Sequence, residues 1–236
     1  MATVVIDCFP ASVARYVSDH AIVAVDVIRA TTTAQTAVAL GRRCFPVPTL
    51  ENALATAAEL EDPLLMGELG GSVPFGFELQ NSPAALAAQP GNRRPVVLLS
   101  TSGTQVLHES RGAEAAYAAS LRNVEAQSRA AARHERVAIV GAGARGEFRE
   151  EDQLCAAWIA SRLVQLGHQP ENEQTESLIA QWGNEPVEAF LNSNSVEYLR
   201  RTDQLRDLDF ILAHVDDLTS AFALSGSELI ELPGMS

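Results

Sequence analysis

The sequence contains no lysine, because all 17 basic residues in its 236 positions are arginine. This absence excludes a Schiff-base lysine, a lysine general base and the lysine of a Walker-type phosphate loop. The 30 acidic residues give a formal net charge of −13, which argues against nucleic acid or an anionic membrane as a partner. A small anionic ligand must therefore be held by arginine, by backbone N–H groups or by a metal ion.

Long hydrophobic runs are also missing, and no apolar stretch reaches the length of a membrane span. Cysteine is scarce: Cys8, Cys44 and Cys155 lie in apolar segments and are predicted to be small core residues. The first ten residues, MATVVIDCFP, lack the basic region of a signal peptide and are predicted to begin the first strand. Together these features predict reduced thiols and a cytoplasmic protein.

Apolar runs typical of buried strands alternate with helical patterns along the chain. Strands are predicted at 3–7, 21–26, 43–47, 63–68, 95–100, 113–119, 136–141 and 209–214. Helices are predicted near 33–40, 50–60, 82–88, 103–110, 123–134, 150–166, 175–182 and 195–201. This alternation predicts an α/β fold, with a mixed or parallel sheet covered by helices on both faces. One domain over residues 1–236 is predicted, with a C-terminal subregion after about residue 175 as the alternative.

Several of the predicted strands end in polar residues. Asp26 ends strand 21–26 and leads through Arg29 to Thr31–Thr33, and Glu68 ends strand 63–68. Strand 95–100 runs into Ser100–Thr104, and strand 136–141 runs into GAGARGEFREED. Ligands of open α/β sheets bind beyond the carboxyl ends of the strands, and helix starts rich in hydroxyls and glycine bind anions. The pattern favours an oxyanion site at this edge.

Each of these signals also has a purely structural explanation. The threonines and Ser100–Thr104 are typical helix caps, and Glu147 and Glu150 suit the positive end of a helix dipole. A carboxylate at the end of an apolar strand requires a partner, so a structural ion pair between Asp26 and Arg29 is an alternative to a catalytic role. Asn81 or Ser82 before Pro83 predicts a helix start.

Two familiar patterns are rejected. GAGARG at 141–146 matches G-x-G-x-x-G, but acidic residues follow it and no strand with a terminal acid comes about 20 residues later, as a dinucleotide site requires. A tight turn is predicted there instead. The five histidines have no metal-ligand spacing and are predicted to be mostly surface or loop residues.

The combined motifs resemble the 2-phosphosulfolactate phosphatase family over nearly the whole chain. The matching segments are VDVIRATTT (25–33), GE (67–68), GFELQNSP (76–83), TSGT (101–104), Asn123 and GEFREED (146–152). The chain departs from the family pattern at Leu69, where arginine usually follows G-E, and at Ser102, where T-N-G-T is common.

This resemblance implies a three-layer α/β/α fold with a largely buried sheet. It also implies a Mg²⁺-dependent phosphatase acting on the phosphate ester of a 2-hydroxy acid, with 2-phospho-3-sulfolactate as the named substrate on a route to coenzyme M. A non-hydrolytic polyanion-binding protein and a phosphotransferase on a related phosphorylated acid are the alternatives. A small anionic substrate is the expected partner, and a homodimer is left open.

The candidate site residues follow from this hypothesis. Glu68 and Asp152, with Glu151 behind them, are expected to contact the metal, and Arg29 is expected to clamp the phosphoryl group. Asp26 is assigned one of three roles: general base, metal ligand or nucleophile. The catalytic set is Asp26, Arg29, Thr31 and Thr32. The substrate-binding set is Thr33, Asn81, Ser82, Thr101, Ser102, Gly103, Thr104 and Asn123.

Overall fold

The computed structural model describes residues 1–89, 91 and 93–232, and ten strands in these residues form a single mixed sheet. The strands are β1 (Thr3–Cys8), β2 (Ala21–Val25), β3 (Cys44–Val47), β4 (Leu64–Gly67), β5 (Val96–Leu99), β6 (Ala116–Ala119), β7 (Arg136–Gly141), β8 (Gln169–Pro170), β9 (Ala221–Ser225) and β10 (Glu228–Leu232). The helices are α1 (Ala30–Ala39), α2 (Leu50–Ala58), α3 (Pro83–Ala87), α4 (Gly103–Glu109), α5 (Val124–Ala131), α6 (Glu150–Gln165), α7 (Glu173–Trp182), α8 (Asn194–Arg201) and α9 (Leu205–Ala213).

The strands are arranged in the order β4-β5-β3-β10-β9-β6-β2-β7-β1-β8. Pairs within β4-β5-β3 and within β6-β2-β7-β1-β8 are parallel. The C-terminal hairpin of β9 and β10 lies between these two parallel groups and pairs antiparallel with both. The sheet is therefore mixed, and the C-terminal part of the chain is built into its middle.

Side-chain alternation along the strands produces the three layers. Val23 and Val25 of β2 face a cluster that includes residues of α5 to α9, whereas Ile22 and Ala24 face a cluster that includes α1 and α4. Because successive residues of a strand point to opposite faces, both faces of the sheet are buried. The predicted three-layer α/β/α fold is confirmed.

The prediction of a strand at 209–214 is wrong. This segment belongs to helix α9, in which Asp207, Leu208 and Ile211 are the buried residues. Burial at i, i+1 and i+4 follows the period of a helix, and a short apolar run does not distinguish a helix from a strand. Strands β8, β9 and β10 were not predicted, and the strand predicted at 113–119 is confined to β6.

Several smaller predictions are confirmed. The three cysteines are free and buried, and GAGARG forms a tight turn in which Ala144 and Glu147 exchange backbone hydrogen bonds of 3.0 Å. The prediction that the histidines are mostly surface or loop residues is confirmed: His20, His134, His168 and His214 lie in loops, although His20 and His168 are buried there. No helix among the described residues is both long enough and apolar enough to cross a membrane.

Candidate active site

A cavity of about 640 Å³ opens at the carboxyl ends of the parallel strands. The polar segments that follow β2, β4, β5 and β7 all contribute to its wall, as the sequence predicts. Helix α8 closes another part of it. The cavity lining includes Asp26, Arg29, Glu68, Gly70, Gly71, Asn81, Thr101, Ser102, Arg145, Glu147, Arg149, Asp152, Tyr198 and Arg201. Its volume is in the range of small-molecule sites, about 300–1,000 Å³.

Asp26 follows β2 directly and is held by the start of α1. Its backbone N–H donates to Thr31 Oγ1 at 2.9 Å, and that hydroxyl donates back to the Asp26 carbonyl at 2.8 Å. The Ala30 N–H hydrogen bonds to the Asp26 carboxylate. Burial and then the charges of Glu68 and Glu151 raise the pKa of Asp26 to about 7, although the Ala30 N–H opposes this shift. The carboxylate is therefore short of positive charge.

Gly103, the first residue of α4, allows Asp26 to lie where it does. A Cβ atom at position 103 would be 2.1 Å from Asp26 Oδ2 and 2.7 Å from the Ala30 Cβ. These separations are far below van der Waals contact, so a side chain at this position cannot coexist with the observed Asp26 rotamer. Gly103 itself is buried and does not line the cavity.

Asp152 comes from the first turn of α6 and lies close to Asp26. Its Oδ1 accepts the Val27 N–H at 2.8 Å, which fixes the carboxylate against the loop after β2. Burial, followed by the charges of Asp26 and Glu151, raises the pKa of Asp152. Two neighbouring buried acids, both with a raised pKa, mark a site where negative charge lacks compensation.

Arg29 reaches the cavity but does not form an ion pair with Asp26. Its Nη1 instead donates to Oδ2 of Asp207 in α9, and both side chains are buried. The structural alternative for Asp26, an ion pair with Arg29, therefore does not form. The Arg29 charge is near enough to lower the pKa of Asp26 slightly.

Glu68 connects the loops after β4 and β5. Its carboxylate accepts the Thr101 N–H at 2.7 Å, the Thr101 hydroxyl at 2.8 Å and the Gly71 N–H at 2.7 Å. Gly67 allows the end of β4 to lie close to the end of β5, because a Cβ at position 67 would be 2.1 Å from the Leu99 carbonyl oxygen. Most of the acceptor capacity of Glu68 is thus used by the protein itself.

The cavity also contains arginines from two other segments. Arg149 is paired with Glu147 at 2.6 Å. Arg145, in the turn after β7, and Arg201, at the end of α8, have no ion-pair partner among the described residues. Two guanidinium groups are therefore available to an anion in a molecule whose net charge is strongly negative.

Asp26 and Asp152 provide the oxygen donors that suit Mg²⁺. The described part of the chain has no group of three or more His, Cys, Asp or Glu side chains arranged to hold a metal ion. Mg²⁺ commonly relies on only one or two protein carboxylates, with waters and substrate phosphate completing its coordination. Two buried carboxylates that lack compensating charge fit an ion of this kind.

The comparison with protein families places this cavity in context. The family model described as 2-phosphosulpholactate phosphatase matches residues 7–220. The chain belongs to the 2-phosphosulpholactate phosphatase family. The match includes every candidate site residue named from the sequence.

Several relatives are named probable 2-phosphosulfolactate phosphatase. One from Synechococcus sp. (strain CC9605) is 32% identical over 212 residues, which cover 85% of this chain and 87% of the relative. One from Thermus thermophilus is 37% identical, with coverage of 80% and 81%. One from Deinococcus radiodurans is 34% identical, with coverage of 79% and 80%. These similarities extend over most of both chains.

The structure brings some of the predicted site residues together and leaves others apart. Asp26, Arg29, Glu68, Asn81, Thr101, Ser102 and Asp152 line the cavity. The other predicted residues do not: Thr31, Thr32, Thr33, Ser82, Gly103, Thr104, Asn123 and Glu151. Glu68, Glu151 and Asp152 are thus not gathered as one three-ligand group.

Most residues outside the cavity have a local structural role. The hydroxyls of Thr31, Thr32 and Thr104 donate to backbone carbonyls of Asp26, Val27 and Ser100. Ser82 caps α3 by accepting the Ala85 N–H at 3.1 Å. Asn123 is buried in an amide network in which its Oδ1 accepts from Gln35 Nε2 at 2.8 Å. Glu151 is hydrogen-bonded by the hydroxyls of Ser193 and Ser195.

Sequence reasoning missed the residues that α8 and α9 supply. Tyr198 and Arg201 line the cavity, and Asp207 holds Arg29. The signal for α8 was a strongly amphipathic segment ending in two arginines, which by itself is typical of any surface helix. Asp207 had no signal, because its role depends on a contact across 178 positions of the chain.

Leu69, the departure from the family pattern, lies in a turn beside the cavity. It exchanges backbone hydrogen bonds with Ser72 at 2.9 and 3.1 Å, and its side chain is partly exposed. The adjacent Gly70 and Gly71 line the cavity, but Leu69 does not. Ser102, the second departure, is a cavity residue.

Proposed function

We propose that this protein is a phosphoric monoester hydrolase that removes the phosphate from a phosphorylated 2-hydroxy acid. Membership of the 2-phosphosulpholactate phosphatase family makes 2-phospho-3-sulfolactate the first candidate substrate. The observation that carries the proposal is one cavity that combines an uncompensated acid pair, Asp26 and Asp152, with arginines free to bind anions.

Magnesium is the proposed cofactor, held by Asp26 and Asp152 with Glu68 at the margin. When bound, the ion would neutralise negative charge on the phosphoryl oxygens. A divalent cation would also offset the repulsion between the two buried carboxylates, which accounts for their proximity. The donor set consists of carboxylate oxygens, which Mg²⁺ prefers.

The protein's own groups would bind and orient the ester. Arg29 would donate to the phosphoryl oxygens from a guanidinium already fixed in direction. Asn81 is buried, and its Oδ1 has no hydrogen-bond partner among the described residues. That oxygen would accept a hydrogen bond from water or substrate. Arg145 and Arg201 would bind the carboxylate and the sulfonate of the acid.

A phosphate-release assay tests the proposal directly. Purified protein with Mg²⁺ is expected to release inorganic phosphate from 2-phospho-3-sulfolactate, and more slowly from 2-phospholactate, which lacks the sulfonate. Arg29→Ala is expected to lower kcat/KM by about 100-fold or more. Binding without phosphate release would favour a binding protein, and transfer of the phosphoryl group to an added alcohol would favour a phosphotransferase.

The magnesium requirement is tested by metal removal. Excess chelator is expected to abolish turnover, and added Mg²⁺ is expected to restore it. Binding alone should raise the Tm, and the rise should grow with the logarithm of metal concentration above Kd, because a ligand of the folded state stabilises it. Asp152→Asn should weaken that rise in Tm. Full activity in chelator would reject the metal.

The three roles of Asp26 differ in stereochemistry. A nucleophilic carboxylate forms an aspartyl phosphate, so that two displacements retain the configuration of a chiral phosphorus. A general base or a metal ligand leaves a single displacement by water, which inverts it. The stereochemical course of hydrolysis therefore separates the first role from the other two.

A further inference from the structure

We propose that Asp207 is a positioning residue for catalysis, which holds the guanidinium of Arg29 in the direction that receives the phosphoryl group. This inference rests on the proposed function. Asp207 belongs to α9, outside all the motifs that point to the family, and it does not line the cavity. It acts on the substrate only through Arg29.

The two carboxylate oxygens of Asp207 accept hydrogen bonds from different parts of the chain. Oδ2 accepts from Arg29 Nη1. Oδ1 accepts the Ser82 hydroxyl at 2.6 Å and the Ala84 N–H at 3.1 Å. One side chain thus joins the loop after β2, the start of α3 and helix α9.

Burial makes this ion pair directional. The side chain of Arg29 is 5% exposed and that of Asp207 is 3% exposed, so water does not compete strongly for either charge. A charged hydrogen bond in such surroundings fixes the plane of the guanidinium group. The Arg29 guanidinium makes no other hydrogen bond within the described residues, and Arg29 lines the cavity. Its remaining N–H groups are thus available to a ligand.

Asp207 also keeps Arg29 away from the acid pair. Arg29, Asp26 and Asp152 line the same cavity, so the two carboxylates would attract a guanidinium that was not held elsewhere. An arginine that paired with those acids would occupy the place proposed for the metal. The carboxylate of Asp207 in α9, which does not line the cavity, is the partner that Arg29 takes instead. The C-terminal part of the chain therefore contributes to the geometry of the site.

A double-mutant cycle in the full-length protein tests the inference, with Arg29→Ala, Asp207→Asn and the double variant. Asn has nearly the same size as Asp and keeps an oxygen for Ser82 and Ala84, but it removes the charge. Asp207→Asn is expected to lower kcat/KM about 10- to 100-fold. In the Arg29→Ala background the same change should have less than about a twofold effect, because the residue it positions is gone.

Two further measurements separate positioning from folding. Inorganic phosphate should inhibit Asp207→Asn about tenfold more weakly than the parent protein, because the phosphoryl clamp is misdirected. Asp217→Asn is the matched control: Asp217 pairs with Arg122 at 2.6 Å in the same part of the chain, and neither residue lines the cavity. This control should lower the Tm while leaving kcat/KM within about twofold of the parent.

Ser82→Ala serves as a milder variant should Asp207→Asn fail to fold. It removes one contact of Asp207 and leaves the charge pair intact, so a loss of about three- to fivefold is expected in the parent and none in Arg29→Ala. Independent effects that multiply in the double variant would overturn the proposal, as would normal kinetics for Asp207→Asn. Near-normal kinetics of Arg29→Ala, or no phosphate release by the parent protein, would instead overturn the proposed function.

Discussion

The ionised form of Asp26 destabilises the folded protein, because its carboxylate is buried near other acids. In the unfolded chain an aspartate ionises near pH 4. Burial and the neighbouring acids raise the pKa of Asp26 to about 7 in the folded state. The folded state therefore binds this proton more tightly. The resulting contribution to stability is present below about pH 4 and is lost as the pH rises through about 7.

Asp26→Asn removes this pH-dependent loss. From pH 4 to pH 8, the free energy of unfolding of the variant is expected to rise relative to that of the parent by an amount on the order of 2 kcal/mol. Turnover by the variant is expected to fall sharply. Denaturant unfolding in chelator at both pH values measures the gain. The exposed Asp209→Asn is the control and should show no gain that depends on pH. An equal difference at both pH values would contradict the assignment.

Gly103→Ala tests how closely Asp26 is packed. The new Cβ would be 2.1 Å from Asp26 Oδ2, so the carboxylate must move. We expect kcat/KM to fall about tenfold or more and the free energy of unfolding to fall by about 1–3 kcal/mol. Gly112→Ala is a matched control, because its Cβ would meet nothing closer than Val17 Cγ2 at 3.4 Å. Similar kinetics for the two variants would count against this role of Gly103.

At residue level the sequence predicts the site most directly where a polar residue comes straight after a strand. Asp26, Glu68 and Thr101 follow β2, β4 and β5, and the carboxyl ends of parallel strands meet at one edge. The threonines after Arg29 could not be separated into ligand contacts and caps, since both roles suit a helix start. The partner of Arg29 was beyond prediction, because no local pattern identifies a contact with Asp207.

At the scale of elements, α8 forms a wall of the cavity and depends on its first turn. Ser193 caps this helix by accepting the Val196 N–H at 3.3 Å, and its hydroxyl also bonds to Glu151. We expect Ser193→Ala to lower the free energy of unfolding by about 1 kcal/mol. It should also raise KM more than it lowers kcat, because Tyr198 and Arg201 are carried on this helix.

Asn172→Ala is the matched comparison for that variant. Asn172 caps α7 in the same way by accepting the Thr175 N–H at 2.8 Å, but α7 does not line the cavity. A similar loss of stability with unchanged KM is expected. Equal KM values for the two variants would indicate that α8 does not contact substrate. Thermal unfolding and steady-state kinetics supply both measurements.

Element prediction succeeded where pattern and length agreed. The helices from α1 to α8 and the strands from β1 to β7 lie within a few residues of their predicted positions. Helix α9 was mistaken for a strand because its apolar run is short. The hairpin of β9 and β10 was missed because AFALS and ELIEL are brief and are separated only by a turn at Gly226. Their central place in the sheet is set by tertiary pairing.

At the scale of the whole molecule, β9 supplies the core between the two parallel groups of strands. Phe222 is fully buried there. We expect Phe222→Ala to lower the free energy of unfolding by about 3–5 kcal/mol. The same substitution at Phe75, which is fully exposed, should change it by less than about 0.5 kcal/mol. Denaturant unfolding of both variants gives the comparison, and equal effects would contradict the central role of the hairpin.

The homodimer stays a prediction. Exposed apolar residues include Val73 and Phe75 in the segment after β4 and Leu50 and Leu54 on α2. An apolar surface of this kind is typical of protein–protein contacts. Sedimentation equilibrium over a range of concentrations tests it, and a single species of 25.2 kDa at all concentrations would reject it.

The central position of the C-terminal hairpin has a consequence for biosynthesis. Among residues 1–232, β9 and β10 are the last strands to leave the ribosome. One edge of β3 pairs only with β10 and one edge of β6 pairs only with β9, so both edges stay unpaired until the hairpin is made. Until then a nascent chain would carry two half-sheets with open inner edges, which are prone to pairing with other chains. We therefore expect completion of the sheet to be a late event, and chaperone binding to shield those edges while translation continues.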